Sequence, residues 1–220
     1  AEPVCTDCPG THNIIKQMGT RSQKEQPAEW VALFNGRNLD NWKSSGTASW
    51  TVRSGQLIAT PGPKGKGGDL WTKAVYEDYL LAVTFRATWP IHAGIWLHTT
   101  GPDRGPRVEI FDPPEAGKPA AFTGSVVVPG KGLALANFRE DLADREGWNT
   151  ISVKVRGDRI GVWLNGEEVG AVRTSGPAKG KIGLHLEGYP AYKTAELCVR
   201  EVLLQQLDES AAKVSTLLRD

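Results

Sequence analysis

Residues 148–169 read WNTISVKVRGDRIGVWLNGEEV, and this stretch decides the fold class. Ile151, Val153 and Val155 point one way while Ser152, Lys154 and Arg156 point the other, the period-two pattern of a half-buried strand. Gly157-Asp158 then reverses the chain into Ile160, Val162 and Leu164. Asn165-Gly166 follows, and Asn-Gly between apolar runs signals a two-residue hairpin because both central residues of a type I′ turn need positive φ. Antiparallel β structure is the consequence.

The rest of the chain agrees with that class. Its 220 residues can form one β-sandwich without a second domain. With 26 basic and 25 acidic side chains the formal net charge is +1, so no long-range field steers the protein toward nucleic acid. No apolar run approaches the roughly 20 residues of a membrane-spanning helix. Eight Trp, 25 Gly and 14 Pro suit strands, tight turns and flat apolar faces for sugar rings, although most of the indoles are expected in the core.

The chain opens Ala1-Glu2-Pro3, as after removal of an export signal or after trimming, so a periplasmic or extracellular location is expected. Cys5, Cys8 and Cys198 allow one disulfide and one free thiol, with Cys8–Cys198 or Cys5–Cys8 as the pairs. Haem attachment would need His directly after the second Cys, where Pro9 stands. Residues 1–28 read as an extension, 29–207 as the sandwich and 208–220 as a short helical tail, with Ala211, Val214, Leu217 and Leu218 on one face.

Between these ends, strands are expected at 50–53, 56–59, 70–72, 79–86, 94–98, 107–112, 125–128 and 181–187. A last strand at 195–207 shifts phase near Arg200, as a bulge would. The weakly patterned stretch from Pro113 to Glu146 is expected to border the site. No alternation of strands with long helices points to a parallel α/β sheet.

The order of motifs carries a resemblance. LFNGRNLDNWK at 33–43, WTVRSGQLIA at 50–59, DLWTKAVYEDYLLAVTFR at 69–86, AGIWLH at 93–98, RVEIFD at 107–112, GWNTISVKVRGDRIGVWLNGEEV at 147–169, GKIGLHLEG at 180–188 and LCVREVLL at 197–204 together resemble the 3-keto-disaccharide hydrolase domain family. The resemblance implies an all-β, concanavalin A-like jelly-roll sandwich of two antiparallel sheets. It also implies action on glycosides already oxidised at C3, with a small saccharide or glycoside as the partner. A ketone at C3 acidifies the C2 hydrogen, so a general base can remove it and the aglycone can leave C1 by elimination, after which water adds. Such a site needs a base, an electrophile near the ketone oxygen and an acid near the leaving oxygen. The chain accordingly has neither a nucleophile-elbow motif nor a Walker-type loop.

Strand parity proposes the residues. If Ile95 and Leu97 face the core, then Gly94, Trp96 and His98 face outward. By the same rule Arg107, Glu109 and Phe111 oppose Val108 and Ile110, while Gly183, His185 and Glu187 oppose Ile182, Leu184 and Leu186. In the family's fold the concave face binds sugar, so the resemblance implies His98, Glu109, His185 and Glu187 as catalytic candidates. Trp96, Arg107, Asp112, Trp163 and Asn165 are the candidate substrate contacts. Two His and two Glu would also serve a divalent metal ion, which could stabilise an enediolate. Arg200 matches the family's last-strand motif, where a structural ion pair is implied. The competing reading of alternate charged residues is a solvated sheet face. The chain departs from the family pattern at His98, Phe111, His185 and Glu187, which keeps a non-catalytic carbohydrate-binding or envelope interaction module as the alternative.

Overall fold

A computed structural model describes residues 29–112 and 121–207. The proposed N-terminal extension, with Cys5 and Cys8, and the proposed helical tail lie outside the described residues. The first sheet contains β1 (Val31–Ala32), β3 (Ser49–Arg53), β4 (Gln56–Thr60), β6 (Tyr79–Ala87), β11 (Asn149–Arg156), β12 (Arg159–Leu164), β13 (Glu167–Arg173) and β15 (Leu197–Gln206). The second contains β2 (Trp42–Gly46), β5 (Gly68–Thr72), β7 (His92–Thr99), β8 (Arg107–Phe111), β9 (Val126–Val128), β10 (Gly132–Leu135) and β14 (Lys181–Leu186). The first runs β13-β12-β11-β6-β15-β4-β3, with β1 beside β15, and the second runs β10-β9-β8-β7-β14-β5-β2. All the pairings are antiparallel, and the two sheets form a jelly-roll sandwich of the kind expected. Among the described residues no helix is long and apolar enough to cross a membrane.

The decisive hairpin forms as its turn chemistry dictates. Asn165 and Gly166 take φ of 53° and 89°, and Leu164 pairs directly with Glu167. Ser54 and Gly55 make the same kind of turn between β3 and β4, with φ of 51° and 76°. Ile151, Val153 and Val155 face inward, each between a β6 and a β12 partner, so parity along β11 is as the sequence shows it.

The phase shift in the last strand is real. The register of β15 against β6 slips between Val199 and Glu201, leaving Arg200 as the extra residue. Val199 and Val202 are therefore both buried in the core, which strict alternation would forbid. Arg200 places its guanidinium 4.7 Å from the ring centre of Trp148. This stacking contact stands where an ion pair was expected.

Two expectations shift. β7 begins at His92, two residues earlier than the pattern suggested, and the strand expected at 125–128, β9, pairs with an unexpected strand, β10. β10 is largely exposed, so it lacks the apolar alternation that reveals a strand. Cys198 is a buried free thiol, and its suggested partner Cys8 lies outside the described residues.

Candidate active site

The outer face of the second sheet gathers the ionisable side chains. β8, β7, β14 and β5 are neighbours in that order, and the register aligns Glu109, Gly94 and His185 with Asp69 in one row. Arg107, Trp96, Gly183 and Trp71 form the next row. The glycines have a function here. A Cβ at Gly183 would overlap the Trp71 ring, and one at Gly94 would stand 2.8 Å from the Arg107 side chain. Their absence lets two indoles and a guanidinium lie down on the sheet.

Two imidazole–carboxylate pairs share this face. His92 Nε2 donates to Glu109 Oε2 at 2.8 Å, and Arg107 Nε donates to Glu109 Oε1 at 2.7 Å. Arg107 Nη2 lies 3.3 Å from the same His92 nitrogen. A carboxylate only accepts, so the 2.8 Å contact is a hydrogen bond with the His92 proton on Nε2, and the 3.3 Å approach of the Arg107 donor to that nitrogen is then not one. In the second pair His185 Nδ1 donates to Asp69 Oδ1 at 2.7 Å, and that oxygen also takes the Trp96 indole N–H at 2.8 Å. His185 Nε2 lies 3.4 Å from Glu187 Oε2.

Arg107 bridges the pairs, its guanidinium 4.8 Å from the Trp96 ring centre, and Trp96 stands edge-on to His185. Trp96, Asp69 and Glu109 are buried, while the Glu187 side chain keeps 39% exposure and that of His92 keeps 25%, so these two face the solvent. Beyond His92 lie Phe111 and Tyr192, and Tyr192 leads on to the exposed ring of Tyr189.

The electrostatics distinguish the groups. Burial pushes the His185 pKa down, but the hydrogen bonds to Asp69 and Glu187 outweigh it and leave the value above that of an ordinary histidine. The hydrogen bond from His185 draws Glu187 down to about 2, so it is a carboxylate at neutral pH. Burial, and then the charges of Asp112 and Glu187, raise the Tyr192 phenol and keep it protonated.

Of the residues singled out in the sequence, Trp96, Arg107, Glu109, His185 and Glu187 come together. Asp112 closes the end of β8, where Arg145 Nη2 reaches it at 2.9 Å and burial raises its pKa against that charge. The other three lie elsewhere. Three residues of β7 oppose two of β14 near Lys181, and this bulge puts His98 at φ 46° and turns its ring off the outer face. His98 is buried edge-on to Tyr79 and donates to the Glu77 carbonyl. Asn165 holds the hairpin, donating to Leu142 O and Asn149 Oδ1 at 2.8 Å each. Trp163 lies on the first sheet.

Asp69, His92 and Tyr192 join the site without having been singled out. Parity could have found two of them, since Leu70 and Ala93 face inward. Tyr192 sits in a single 3₁₀ turn, Pro190–Tyr192, which has no period to read.

The metal expectation meets a different arrangement. Among the described residues no group of three or more His, Cys, Asp or Glu is disposed to hold a metal ion. Both Glu109 oxygens are already bonded to N–H groups, and Arg107 places a positive charge between the pairs. The residues present do not fit such an ion.

A two-sheet jelly roll with two imidazole–carboxylate pairs on one outer face defines the class of this protein. Several solved structures are similar to it in fold. A Parabacteroides distasonis protein provisionally called a glycosyl hydrolase superposes with a TM-score of 0.64 at 17% identity, covering 81% of this chain and 94% of its own. A Bacillus subtilis protein of unknown function with a galectin-like fold gives 0.65 at 15% identity, covering 83% and 97%. The exoplasmic/lumenal domain of VIP36, bound to Ca²⁺ and Man3GlcNAc, gives 0.60 at 15% identity, covering 80% and 88%. No curated protein matches the sequence. The model of the 3-keto-alpha-glucoside-1,2-lyase-like domain family matches residues 29–201, and the chain belongs to that family.

Proposed function

We propose that the protein cleaves glycosides oxidised at C3, by removing the C2 proton and eliminating the aglycone from C1. The observation that carries this reading is the pair of imidazole–carboxylate couples held side by side on one aromatic-lined face. His92, oriented by Glu109, is the base: the C2 proton goes to its free Nδ1, and the C–H electron pair passes into the enolate of the C3 ketone. The cationic His185 and Arg107 stabilise the negative charge that develops on the C3 oxygen. Glu187 and Asp69 keep His185 charged. The C1–O bond then breaks, and the leaving oxygen takes the proton of the Tyr192 phenol. Water then adds across the C1=C2 bond: its oxygen bonds to C1 and its proton goes to the Tyr192 phenolate, while C2 takes back the proton held by His92, so both groups are restored.

Incubation with a 3-keto-glucoside tests this, with aglycone release and the absorbance of the enone intermediate as readouts. Release is expected from the 3-keto sugar and not from the parent glucoside. Absence of release from the 3-keto sugar would overturn the reading.

Carbohydrate binding without chemistry is the second reading. It is favoured by Tyr189, whose exposed ring beside Tyr192 can stack on a sugar, and by the glycan-bound VIP36 relative. Calorimetric binding of a 3-keto-glucoside with no turnover would select it.

A further inference from the structure

The opposite side of the sandwich carries a separate feature. β11, β12 and β13 lie abreast at one edge of the first sheet, and the register sets Arg156, Arg159 and Arg173 side by side in one row of the outer face. Like charges directly opposite one another destabilise a sheet, so this row costs stability wherever its charges go unanswered. Arg173 is answered by Asp158 at 2.5 Å. Arg156 comes only within 4.0 Å of Asp78, and among the described residues Lys154 and Arg159 have no ion-pair partner.

The next row is hollow. Lys154, Gly161 and Ala171 align there, and two of the three are small. Trp163 folds back along its own strand into that space. A Cβ at Gly161 would stand 2.9 Å from the rim of the indole, so the ring lies against the bare backbone of Gly161. The result is a trough of 340 Å³, lined by this indole, by Lys154, Arg156 and Arg159, and by one carboxylate, Glu168.

We infer that this trough is a second carbohydrate site, one that binds an acidic glycan such as a run of uronate residues. A flat indole covers the apolar face of a pyranose. Three cations against one carboxylate favour a ligand that carries negative charge along its length. The volume lies at the small end of ligand sites, which suits single sugar residues held in a shallow bed. Nucleic acid is the poorer match. Beyond the trough the row continues to Arg173, which is paired with Asp158, and the whole chain carries only +1, whereas phosphate-backbone binding draws on an extended track of unpaired basic side chains. The inference is independent of the chemistry on the second sheet.

Calorimetry on the full chain at low salt, with polygalacturonate, dextran and poly-dT as ligands, provides the test. Polygalacturonate should bind and dextran should not. The double substitution Lys154→Glu, Arg159→Glu should weaken polygalacturonate binding at least fivefold without lowering the melting temperature, because Arg159 is exposed, Lys154 is half-buried and neither has an ion-pair partner among the described residues. Gly161→Ala keeps every charge but lifts the indole, and should also weaken it severalfold. Lys43→Glu, an exposed charge reversal on the second sheet, should leave it unchanged. No binding by the unaltered protein, undiminished binding by the double variant, or poly-dT binding as tight as polygalacturonate would each overturn the inference.

Discussion

Asp69 and His185 are joined at 2.7 Å, and the carboxylate oxygen that holds the imidazole also holds the Trp96 indole at 2.8 Å. One atom thus sets the position of the cationic ring and of the aromatic surface beside it. Asp69 and His185 face each other across the β5–β14 pairing, with side chains about one-tenth exposed. Replacing one charge of a buried pair leaves the other uncompensated. Asp69→Asn should therefore destabilise the fold by about 1–3 kcal/mol, the cost of unsatisfying a buried polar group. Urea unfolding measures this. Turnover of a 3-keto-glucoside should fall at least tenfold in the same variant, with the pH optimum moved to lower pH because His185 loses its proton more easily.

The His185–Glu187 contact makes a second prediction, in stability against pH. Glu187 is lowered from 4.5 to about 2 by its hydrogen bond with His185, so its contribution is present above 4.5 and is lost as pH falls toward 2. His185 is raised above 6.5, so its contribution is complete below 6.5 and is lost as pH rises through the higher folded value. Both act together between about pH 4.5 and 6.5. The melting-temperature difference between the unaltered protein and Glu187→Gln should be greatest in that window and shrink on either side. A difference that kept growing toward pH 9 would contradict it.

Glu109 and His92 should separate stability from chemistry. Glu109 is buried and takes both the Arg107 and the His92 donors, so Glu109→Ala strands a guanidinium whose side chain is 11% exposed. A loss of about 3–5 kcal/mol follows from breaking a buried pair. His92 is more exposed, and His92→Ala leaves the Arg107–Glu109 bond in place. That variant should lose at least tenfold in turnover while its melting temperature stays within a few degrees. Equal stability losses in the two variants would refute this division of roles.

The hairpins were legible because their turns demand particular residues, and the inward face of each strand was legible because apolar residues alternate. The position of His98 was not. One extra residue between Trp96 and Thr99 reverses parity, and nothing in IWLHT marks where it falls. Trp163 shows a second limit. Parity correctly placed it outside the core, but a sandwich has two outer faces, and only strand order decides which one a residue occupies. Asp69 and His92 were within reach of the same parity argument had it been carried to the ends of β5 and β7. Tyr192 was not, since a single 3₁₀ turn carries no repeat.

Gly183 offers the most local test of how the site is built. It pairs with Trp71 on one side and Trp96 on the other, and the two ring centres stand 6.3 Å apart above it. Both indoles are buried, and the Trp71 N–H is fixed on Ser45 Oγ at 2.8 Å, so neither ring can swing freely aside. A methyl group at this position has to move one of them. Overpacking of this kind costs about 1–3 kcal/mol, so Gly183→Ala should lower the unfolding free energy by that much and alter the near-ultraviolet circular dichroism of the coupled indoles. Because Trp96 carries both the Arg107 stacking contact and the bond to Asp69, the same methyl should reduce turnover without touching any ionisable group. A crystal structure of the variant with both rings in place would show that the sheet can yield where the packing says it cannot.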